Sequence, residues 1–399
     1  MAAPAVTRPQ ALHQARLLEC GREYFPAIIA AIEGAQHEVL LETYIYADDP
    51  SGRAVSEALL RAVARGVRVV ALIDGFGADG HIGSLAERLR SGGVSLRFYR
   101  PLHRITHLRR SRLRRLHRKL VTIDASLTFV GGINIHDDLN LPEPGLAGRF
   151  DFAVAAAGPL VRQVRSAQRR LAGRALRRAI PAAPPSTAPA GAFLPAAFAL
   201  APVAHAALVL RDNLRHRHAI ERVYLRAIAT ARESVWIANA YFVPGHRVLA
   251  ALKDAARRGV DVRLILQGRE EYWIAREAER ALYDILLDAG IDIVEYGASF
   301  LHAKVAVIDR RWATVGSSNL DPFSLLLAHE ANLVIEDATF ASDLYSRLER
   351  ACADHGQRID ASLWQRRPRW LRLRARLIYG LARLALRALG LGGYLPRTA

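Results

Sequence analysis

The sequence predicts an α/β protein made of two tandem, related domains. Stretches with helical periodicity alternate with β-rich runs, which is typical of α/β units with a largely parallel sheet. The runs lie at 39–46, 67–73, 235–242 and 260–266. The chain also repeats internally, because residues 28–74 match residues 225–266 in the order helix, strand, loop, helix, strand. Its 399 residues, 51% of them hydrophobic, are enough for two domains of ordinary size.

The repeat continues beyond these elements. Gly66 and Gly259 follow the second helix of each repeat, where a C-cap glycine is expected. Residues 92–100 then correspond to residues 289–297, and each segment leads into a matched block, LHRKLVTIDASLTFVGGINI in the first half and LHAKVAVIDRRWATVGSSNL in the second. Equal spacing within the two blocks indicates a duplicated domain.

A segment rich in Ala and Pro, residues 181–204, separates the halves. Such a composition favours a linker or a poorly packed loop over a substrate lid. We therefore divide the chain into an N-terminal extension (1–20), a first domain (21–178), a linker (179–205), a second domain (206–355) and a tail (356–399).

The charge balance indicates an anionic partner. The chain has 56 Lys and Arg against 38 Asp and Glu, a formal net charge of +18, which suits nucleic acid, acidic metabolites or an anionic membrane surface. Two cysteines are too few for a disulfide framework or a multi-cysteine metal site.

The matched blocks carry the same motif, H-x-K-x4-D. Its members are His117, Lys119 and Asp124 in the first half and His302, Lys304 and Asp309 in the second. Lysine occurs only three times in the chain, so two such matches at equivalent places are a poor fit to chance. The period of a strand places His and Lys on one face. Two such strands facing each other would form one symmetric site.

These residue types suit chemistry at a phosphodiester. Ammonium, amide and hydroxyl groups can surround the phosphoryl oxygens, and one histidine can attack phosphorus while the other protonates the leaving alkoxide. The candidate phosphate-binding residues are Lys119, Lys304, Asn134, Asn319, Ser317 and Ser318. This chemistry requires neither a metal ion nor another cofactor.

At these residues the sequence resembles the phospholipase D superfamily, and more closely its bacterial cardiolipin synthases of the B type, which lack N-terminal membrane spans. The resemblance covers most of residues 20–355. Its most specific part is HAKVAVIDRRWATVGSSNLDPFSLLLAHEANLVI, and NAYFVPGHR and RDNLRHRHAIERVYL support it. The resemblance implies two α/β/α sandwich domains, related by a pseudo-twofold axis, with one shared active site.

The resemblance also implies roles for individual residues. His117 would be the nucleophile that forms a phosphohistidine, and His302 the general acid and then the general base. Glu330 and Asp151 would orient the two imidazoles. Asp124 and Asp309 belong to the catalytic motif, although we favour a structural ion pair over direct catalysis for both.

Two arginine-rich segments point to a membrane. Residues 104–118 contain seven arginines and no acid, which suits either a funnel for lipid headgroups or a solvated surface. Residues 366–399 contain nine arginines and no acid, with leucines at helical spacing. This pattern predicts a basic amphipathic helix in the interface of an anionic membrane, and a helix docked back onto the domain is the alternative.

The sequence therefore predicts a peripheral enzyme at the cytoplasmic face of the bacterial inner membrane. The expected reaction is phosphatidyl transfer between phospholipids, with phosphatidylglycerol as donor and acceptor and phosphatidylethanolamine as a further candidate. A phospholipase D or a nuclease with the same site is the runner-up, and an inactive lipid-binding scaffold is a third class. A leucine-rich tail is unnecessary for nucleic-acid binding, so no nucleic-acid partner is expected.

Overall fold

The computed structural model describes residues 13–101, 114–141, 143, 145–177, 180, 190–212 and 216–368, together with 370, 374, 377–381 and 384 in the tail. The prediction of a headgroup funnel at 104–118 therefore lies mostly outside the described residues. So do most of the predicted tail helix and the linker residues 181–189.

The first half alternates strands and helices in the predicted order. Its elements are β1 (His13–Glu19), α1 (Cys20–Gly34), β2 (Glu38–Thr43), α2 (Pro50–Ala64), β3 (Arg68–Asp74), α3 (Leu85–Ser91), β4 (Ser95–Tyr99), β5 (Arg115–Leu116), β6 (Lys119–Ile123), β7 (Leu127–Gly131), β8 (Phe152–Ala157), α4 (Leu160–Leu176) and β9 (Ala201–Val203).

The second half repeats this order. Its elements are β10 (His205–Arg211), α5 (Ala219–Thr230), β11 (Ser234–Asn239), α6 (His246–Arg257), β12 (Asp261–Gln267), α7 (Trp273–Arg280), α8 (Tyr283–Leu287), β13 (Asp292–Tyr296), β14 (Lys304–Ile308), β15 (Trp312–Gly316), α9 (Pro322–Leu327), β16 (Ala328–Glu336), α10 (Ala338–His355), β17 (Gly356–Arg358) and α11 (Ala361–Gln365).

Local chemistry explains the ends of these elements. Asp49 caps α2 by accepting the N–H of Gly52 at 2.8 Å, and Pro50 occupies the first turn, where its missing N–H costs nothing. Gly66 and Gly259 adopt φ of +84° and +86° just after α2 and α6, which is the left-handed conformation that favours glycine.

The two halves contain equivalent sheets. The first has the strand order β4-β3-β2-β6-β7-β8-β1-β9, and the second has β17-β13-β12-β11-β14-β15-β16-β10. Six strands of the first sheet, β4-β3-β2-β6-β7-β8, therefore correspond in that order to β13-β12-β11-β14-β15-β16 of the second. The prediction of a duplicated α/β fold is confirmed.

The sheets are mixed rather than largely parallel, which corrects the expectation from the sequence. Within the two strand orders, the parallel pairs of the described strands are β2–β3 and β3–β4 and their equivalents β11–β12 and β12–β13, and the short β5 also pairs parallel with β16. Strands β6, β7 and β8, like β14, β15 and β16, pair antiparallel. The reason is local, because tight turns join β6 to β7 and β14 to β15, and a tight turn joins antiparallel strands only.

Helices cover both faces of each sheet. One apolar cluster lies under α1 and α2, and its counterpart lies under α5 and α6. A third cluster joins the halves, with Val130 and Phe152 of the first sheet, Trp236 and Val305 of the second, and Leu344 of α10. This shared core places the two H-x-K motifs at one junction.

The structure assigns parts of the predicted extension and linker to the first half. Strand β1 pairs with β8 and β9 pairs with β1, so residues 13–19 and 201–203 belong to the first sheet. Phe193 is 4% exposed and packs in the first-half core. Phe193 and Val203 thus anchor the described part of the linker, most of whose other residues are exposed or half-buried.

The described tail residues contact the second half. Tyr379 is fully buried in the second-half core, and Arg374 forms an ion pair of 2.9 Å with Glu277 of α7. Across the described part of the chain, no helix is both long enough and apolar enough to span a bilayer.

Candidate active site

His117 is positioned by both halves. Strand β5, just before it, leaves the first sheet and pairs with β16 of the second. The His117 N–H then donates to the carbonyl of His329 at 3.0 Å. From its own half, Asp74 accepts the N–H of Leu116 at 2.7 Å. The backbone that carries His117 is therefore fixed at the junction of the two sheets.

His302 is held in the equivalent way. A bridge joins Leu301 to Phe150 of the first half, and the His302 N–H donates to the Phe150 carbonyl at 2.8 Å. Gln267 accepts the N–H of Leu301 at 3.2 Å. Since Gln267 ends β12 where Asp74 ends β3, the pseudo-twofold relation extends to the residues that support each histidine.

Each imidazole contacts an acid from the opposite half. Nδ1 of His117 lies 3.0 and 3.1 Å from the carboxylate oxygens of Glu330, and Nδ1 of His302 lies 2.6 Å from Oδ2 of Asp151. Both acids are buried. The structure thus brings together the four residues predicted as catalytic and orienting. With Nδ1 engaged, Nε2 of each ring is the nitrogen left for a substrate.

Two buried lysines flank the histidines. Nζ of Lys119 donates to the carbonyl of His117 at 2.9 Å, and Nζ of Lys304 donates to the carbonyl of His302. Burial and the charge of Lys304 lower the pKa of Lys119 to about 7, and burial also lowers the pKa of Lys304. Because the two ammonium groups repel each other, an anion between them would be stabilised.

The two acid–imidazole pairs are electrostatically unequal. Burial raises the pKa of Asp151 to about 7, although Lys304 opposes the rise. Burial would also raise the pKa of Glu330, but His117 and the hydrogen bond to it outweigh burial and lower that pKa. Burial, followed by the charge of Lys304, holds the pKa of His302 well below its ordinary value. The two histidines therefore differ in their readiness to carry a proton.

The pKa of His117 is also lowered by burial, and Glu330 opposes this shift. His117 in turn lowers the pKa of His302 through its charge. The pairing of β5 with β16 and the bridge between Phe150 and Leu301 bring both histidines to the junction of the two sheets, so the two imidazoles share one site.

The predicted phosphate-binding side chains meet different partners. Oδ1 of Asn134 accepts the N–H of Ile45 at 3.1 Å. Ser317 donates to Glu330 and accepts the N–H of Ala331 at 3.1 Å, while Ser318 donates to the carbonyl of Asn319 at 3.2 Å. Both serine hydroxyls are thus engaged within the fold.

Asp124 and Asp309 lie at the far ends of β6 and β14, away from the histidines. Asp124 accepts the backbone N–H groups of residues 36–38 at 2.7–2.8 Å, and Asp309 accepts those of residues 232–234 at 2.8–3.2 Å. Both residues have positive φ, 49° and 51°, at the hairpin turn. These contacts correct the expected ion pair, because the partners are backbone amides.

Sequence reasoning missed four side chains at the site: Tyr44, Asp74, Asn239 and Gln267. The ring of Tyr44 lies 4.9 Å from that of His117, and Nζ of Lys119 lies 5.5 Å from the centre of the Tyr44 ring. All four lie at or just beyond the carboxyl ends of parallel strands. In α/β sheets these ends line binding sites, and this rule was the signal available in the sequence.

Arg115 and Arg118, from the described end of the arginine-rich segment, are engaged internally. Arg118 forms a buried two-bond pair with Glu42 at 2.8 and 2.9 Å, and Arg115 lies 3.4 Å from Asp74. Neither arginine therefore supports a headgroup funnel. Among the described residues, His, Cys, Asp and Glu side chains form no group of three or more that could hold a metal ion.

Two equivalent α/β/α halves that share a pair of acid-held histidines and a pair of lysines define a phospholipase D-like protein. A family model described as "Cardiolipin synthase, PLD-like domain" matches residues 28–139 and 224–352. The chain belongs to this family of phospholipase D-like cardiolipin synthases, and the family prediction from the sequence is confirmed.

Curated relatives agree with this membership. The chain is 39% identical over 363 residues to cardiolipin synthase B of Salmonella typhi, covering 90% of this chain and 85% of the relative. Cardiolipin synthase B of Escherichia coli K12 is also 39% identical, over 89% and 84% of the two chains. Cardiolipin synthase A of Pseudomonas putida is 33% identical, over 83% and 66%.

Solved structures share the fold. The phosphatidylserine synthase of Haemophilus influenzae superposes with a TM-score of 0.63 at 12% identity, over 96% of this chain and 97% of that one. The polyphosphate kinase of Porphyromonas gingivalis superposes with a TM-score of 0.57 at 16% identity, over 88% and 49%. At these identities the likeness concerns the fold alone.

Proposed function

We propose that this protein is a cardiolipin synthase that transfers a phosphatidyl group from one phosphatidylglycerol to a hydroxyl of a second. The observation that carries the proposal is the pair of imidazoles, each held at Nδ1 by an acid from the opposite half, beside two buried lysines. Phospholipid substrates and membrane association follow from the family. The specific claims are that phosphatidylglycerol is both donor and acceptor and that the reaction is transfer rather than hydrolysis.

In the first step, Nε2 of His117 attacks phosphorus of the donor. The new N–P bond replaces the P–O bond to glycerol, and His302 donates the proton that the leaving glycerol oxygen needs. Glu330 stabilises the phosphohistidine because its carboxylate faces Nδ1 of the same ring. The products of this step are glycerol and a phosphatidyl-enzyme.

In the second step, a hydroxyl of the acceptor phosphatidylglycerol gives its proton to Nε2 of His302 and attacks phosphorus. The N–P bond breaks, cardiolipin leaves and both histidines return to their initial states. Lys119 and Lys304 stabilise the charge on the phosphoryl oxygens in both transition states. Asn134 and Asn319 are the amides that we place beside the phosphate.

Unequal surroundings support this division of roles. The lowered pKa of Glu330 keeps a full carboxylate at His117, which favours a cationic phosphohistidine. The raised pKa of Asp151 lets the pair of Asp151 and His302 exchange a proton near neutral pH. A bound phosphodiester anion would raise the pKa of His302 towards the range that a general acid needs.

The membrane partner is an anionic bilayer at the cytoplasmic face of the bacterial inner membrane, where the protein is peripheral. The net charge of +18 supports this placement. So does the exposed apolar face formed in the tail by Trp370, Leu377, Leu381 and Leu384, each between 57% and 63% exposed.

The test is to incubate the full chain with phosphatidylglycerol vesicles, with and without phosphatidylethanolamine, and to identify the products by mass spectrometry. We expect one glycerol per cardiolipin. The His117→Ala and His302→Ala variants should each lose roughly 10³-fold or more of turnover, while the exposed His246→Ala serves as the control. Phosphatidic acid as the dominant product would favour a phospholipase D, and cleavage of DNA would favour a nuclease.

A second substrate separates the two histidine roles. A phosphatidyl ester of p-nitrophenol carries a leaving group that needs no protonation. His302→Ala should therefore release p-nitrophenol in a burst and accumulate the phosphatidyl-enzyme, whereas His117→Ala should give no burst. A burst from His117→Ala would reverse the assignment.

A further inference from the structure

Helix α7 begins with three large apolar side chains that the fold leaves exposed. Tyr272, Trp273 and Ile274 follow one another at its N-terminal end and are 62%, 55% and 53% exposed. A single exposed apolar residue needs no explanation, whereas a contiguous group of them marks a surface that contacts something else. We call these three residues the α7 patch.

The α7 patch lies beside the candidate active site. The ring of Tyr272 lies 6.0 Å from that of Tyr241. The residue before Tyr241, Ala240, donates its N–H to the carbonyl of Ala303 at 3.0 Å. Since Ala303 is the central residue of the second H-x-K motif, the patch is connected to that motif through Tyr241.

The loop that leads into α7 is held by both halves. Nη1 of Arg269 lies 3.0 Å from Oε2 of Glu143 in the first half, and its Nε donates to the carbonyl of Gly297 in the second half at 2.9 Å. The hydroxyl of Tyr241 donates to Glu271 at 2.5 Å. These contacts fix the loop across the junction of the halves, while the apolar side chains that follow it stay exposed.

The exposed face of the tail is the neighbour of the α7 patch. Arg374 of the tail donates two hydrogen bonds, of 2.9 and 3.2 Å, to Glu277 of α7. Glu277 follows Trp273 by four residues, and Arg374 follows Trp370 by four residues in a tail whose described residues 370, 374, 377–381 and 384 are helical. Residues four apart lie on one face of a helix, so each tryptophan lies one turn from the ion pair. The two apolar surfaces therefore adjoin at this pair.

A phospholipid bilayer is the partner that fits this combined surface. The substrates are phospholipids, so a headgroup reaches the site from a bilayer, and the α7 patch lies beside that site. Tryptophan and tyrosine favour membrane interfaces because each combines an apolar ring with a polar group that stays hydrated. The adjoining tail has the arginines and leucines of an interfacial amphipathic helix.

We propose that Tyr272, Trp273 and Ile274 insert into the bilayer interface together with the exposed apolar face of the tail. This inference rests on the proposed function and deepens it, because it identifies the face of the molecule that meets the membrane. Insertion there seats the active site against the headgroups of its substrates. It also limits the access of water to the phosphohistidine, which favours transfer over hydrolysis.

Tryptophan fluorescence tests the insertion independently of turnover. Two of the five tryptophans, Trp273 and Trp370, are exposed. The other three, Trp236, Trp312 and Trp364, are buried or half-buried. The Trp370→Phe variant therefore keeps Trp273 as its exposed tryptophan. On vesicles of phosphatidylglycerol and brominated phosphatidylcholine we expect the bromines to quench its emission, and we expect the added change Trp273→Phe to abolish that quenching.

A pair of substitutions tests what the patch contributes to binding. Trp273→Ala combined with Ile274→Asn should lower partitioning onto phosphatidylglycerol vesicles about tenfold and raise the KM for vesicle phosphatidylglycerol by a similar factor. Turnover of a soluble phosphodiester and thermal unfolding should stay unchanged, because both side chains are exposed. The matched control, Trp273→Phe combined with Ile274→Leu, keeps the patch apolar and should bind vesicles as the unaltered protein does.

The outcomes separate this inference from the proposed function. Unquenched emission from Trp370→Phe, or undiminished vesicle binding by Trp273→Ala with Ile274→Asn, would overturn the insertion and leave the transferase intact. A dimer in sedimentation that this pair of substitutions dissociates, with vesicle binding unchanged, would assign the patch to a second copy of the chain and also overturn the insertion. Absence of cardiolipin with the unaltered protein would overturn the proposed function itself.

Discussion

At the scale of single residues, Gly132 and Ser317 distinguish the two halves of the site. They occupy equivalent positions, yet Ser317 donates to Glu330, whereas the Asp151 carboxyl fills the space beside Gly132. A Cβ at position 132 would lie 2.8 Å from Cγ of Asp151. The glycine is therefore required by the close approach of this carboxyl group.

Gly132→Ser should displace Asp151 from His302 and lower kcat on the order of 10²-fold, as small misplacements of catalytic groups do. Ser317→Gly removes one hydrogen bond to Glu330 and should lower kcat by a smaller factor than Gly132→Ser does. The measurement is kcat on phosphatidylglycerol vesicles, with thermal unfolding as the control for folding. A larger loss in Ser317→Gly than in Gly132→Ser would contradict the steric argument.

Also at the scale of single residues, the lowered pKa of Lys119 predicts how kcat/KM depends on pH. Burial and Lys304 lower its pKa to about 7, so its ammonium form is lost as the pH rises through about 7. Because kcat/KM reports the free enzyme, kcat/KM for a soluble phosphodiester should fall above that pH. An arginine at position 119 keeps its charge over this pH range. In Lys119→Arg the decrease in kcat/KM should therefore begin at higher pH, regardless of the maximal kcat/KM of this variant. An unmoved midpoint would contradict this role, and Lys253→Arg on α6 is the control.

At the scale of elements, the tail combines the two alternatives that its sequence left open. Tyr379 and Arg374 contact the second half, while the apolar residues at 370, 377, 381 and 384 are exposed. Intervals of seven, four and three residues place these apolar side chains on one face of a helix. The described tail residues thus provide both docking contacts and an outward apolar face.

Substitutions on the two faces of the tail should have different effects. Leu377→Asn combined with Leu381→Asn should weaken sedimentation with anionic vesicles at least tenfold, since each buried leucine contributes about 1.5–3 kcal/mol, and should leave thermal unfolding unchanged. Tyr379→Ala should lower the free energy of unfolding by about 3 kcal/mol. Unchanged vesicle binding in the leucine variant would show that the exposed face does not enter the membrane.

At the scale of the whole molecule, the balance of transfer and hydrolysis depends on the supply of acceptor. Any hydroxyl that reaches the phosphohistidine can intercept it, so a transferase must retain its acceptor or exclude water. A protein seated on phosphatidylglycerol vesicles meets acceptor headgroups at high local density.

Cardiolipin should therefore exceed phosphatidic acid on undiluted vesicles, and the ratio should fall steadily as the lipid is diluted in detergent micelles. The measurement is quantitative mass spectrometry of both products at constant total phosphatidylglycerol. A ratio that is independent of dilution would show that the protein itself retains the acceptor, and that the local density of headgroups has no effect. Dominant phosphatidic acid on undiluted vesicles would favour the phospholipase.

The sequence by itself determined the duplication, the α/β class, the family and the motif residues that meet at the site. Repetition and spacing are properties of the chain, so His117, Lys119, His302 and Lys304 are identifiable from the order of residues alone. The rarity of lysine made those matches specific. The family resemblance also identified Glu330 and Asp151 as orienting residues, but it did not assign each of them to a histidine.

Only the tertiary structure decided which acid contacts which histidine and which backbone groups the other polar side chains bind. Glu330 faces His117 and Asp151 faces His302 because β5 and the bridge at Phe150 cross between the sheets, and pairing between halves leaves no mark in local spacing. Asp124 and Asp309 cap backbone amides of distant strands for the same reason. The orientations of the Asn239 and Gln267 amides likewise depend on the backbone N–H groups of Leu320 and Leu301 that they accept, and packing of the whole chain determines those approaches.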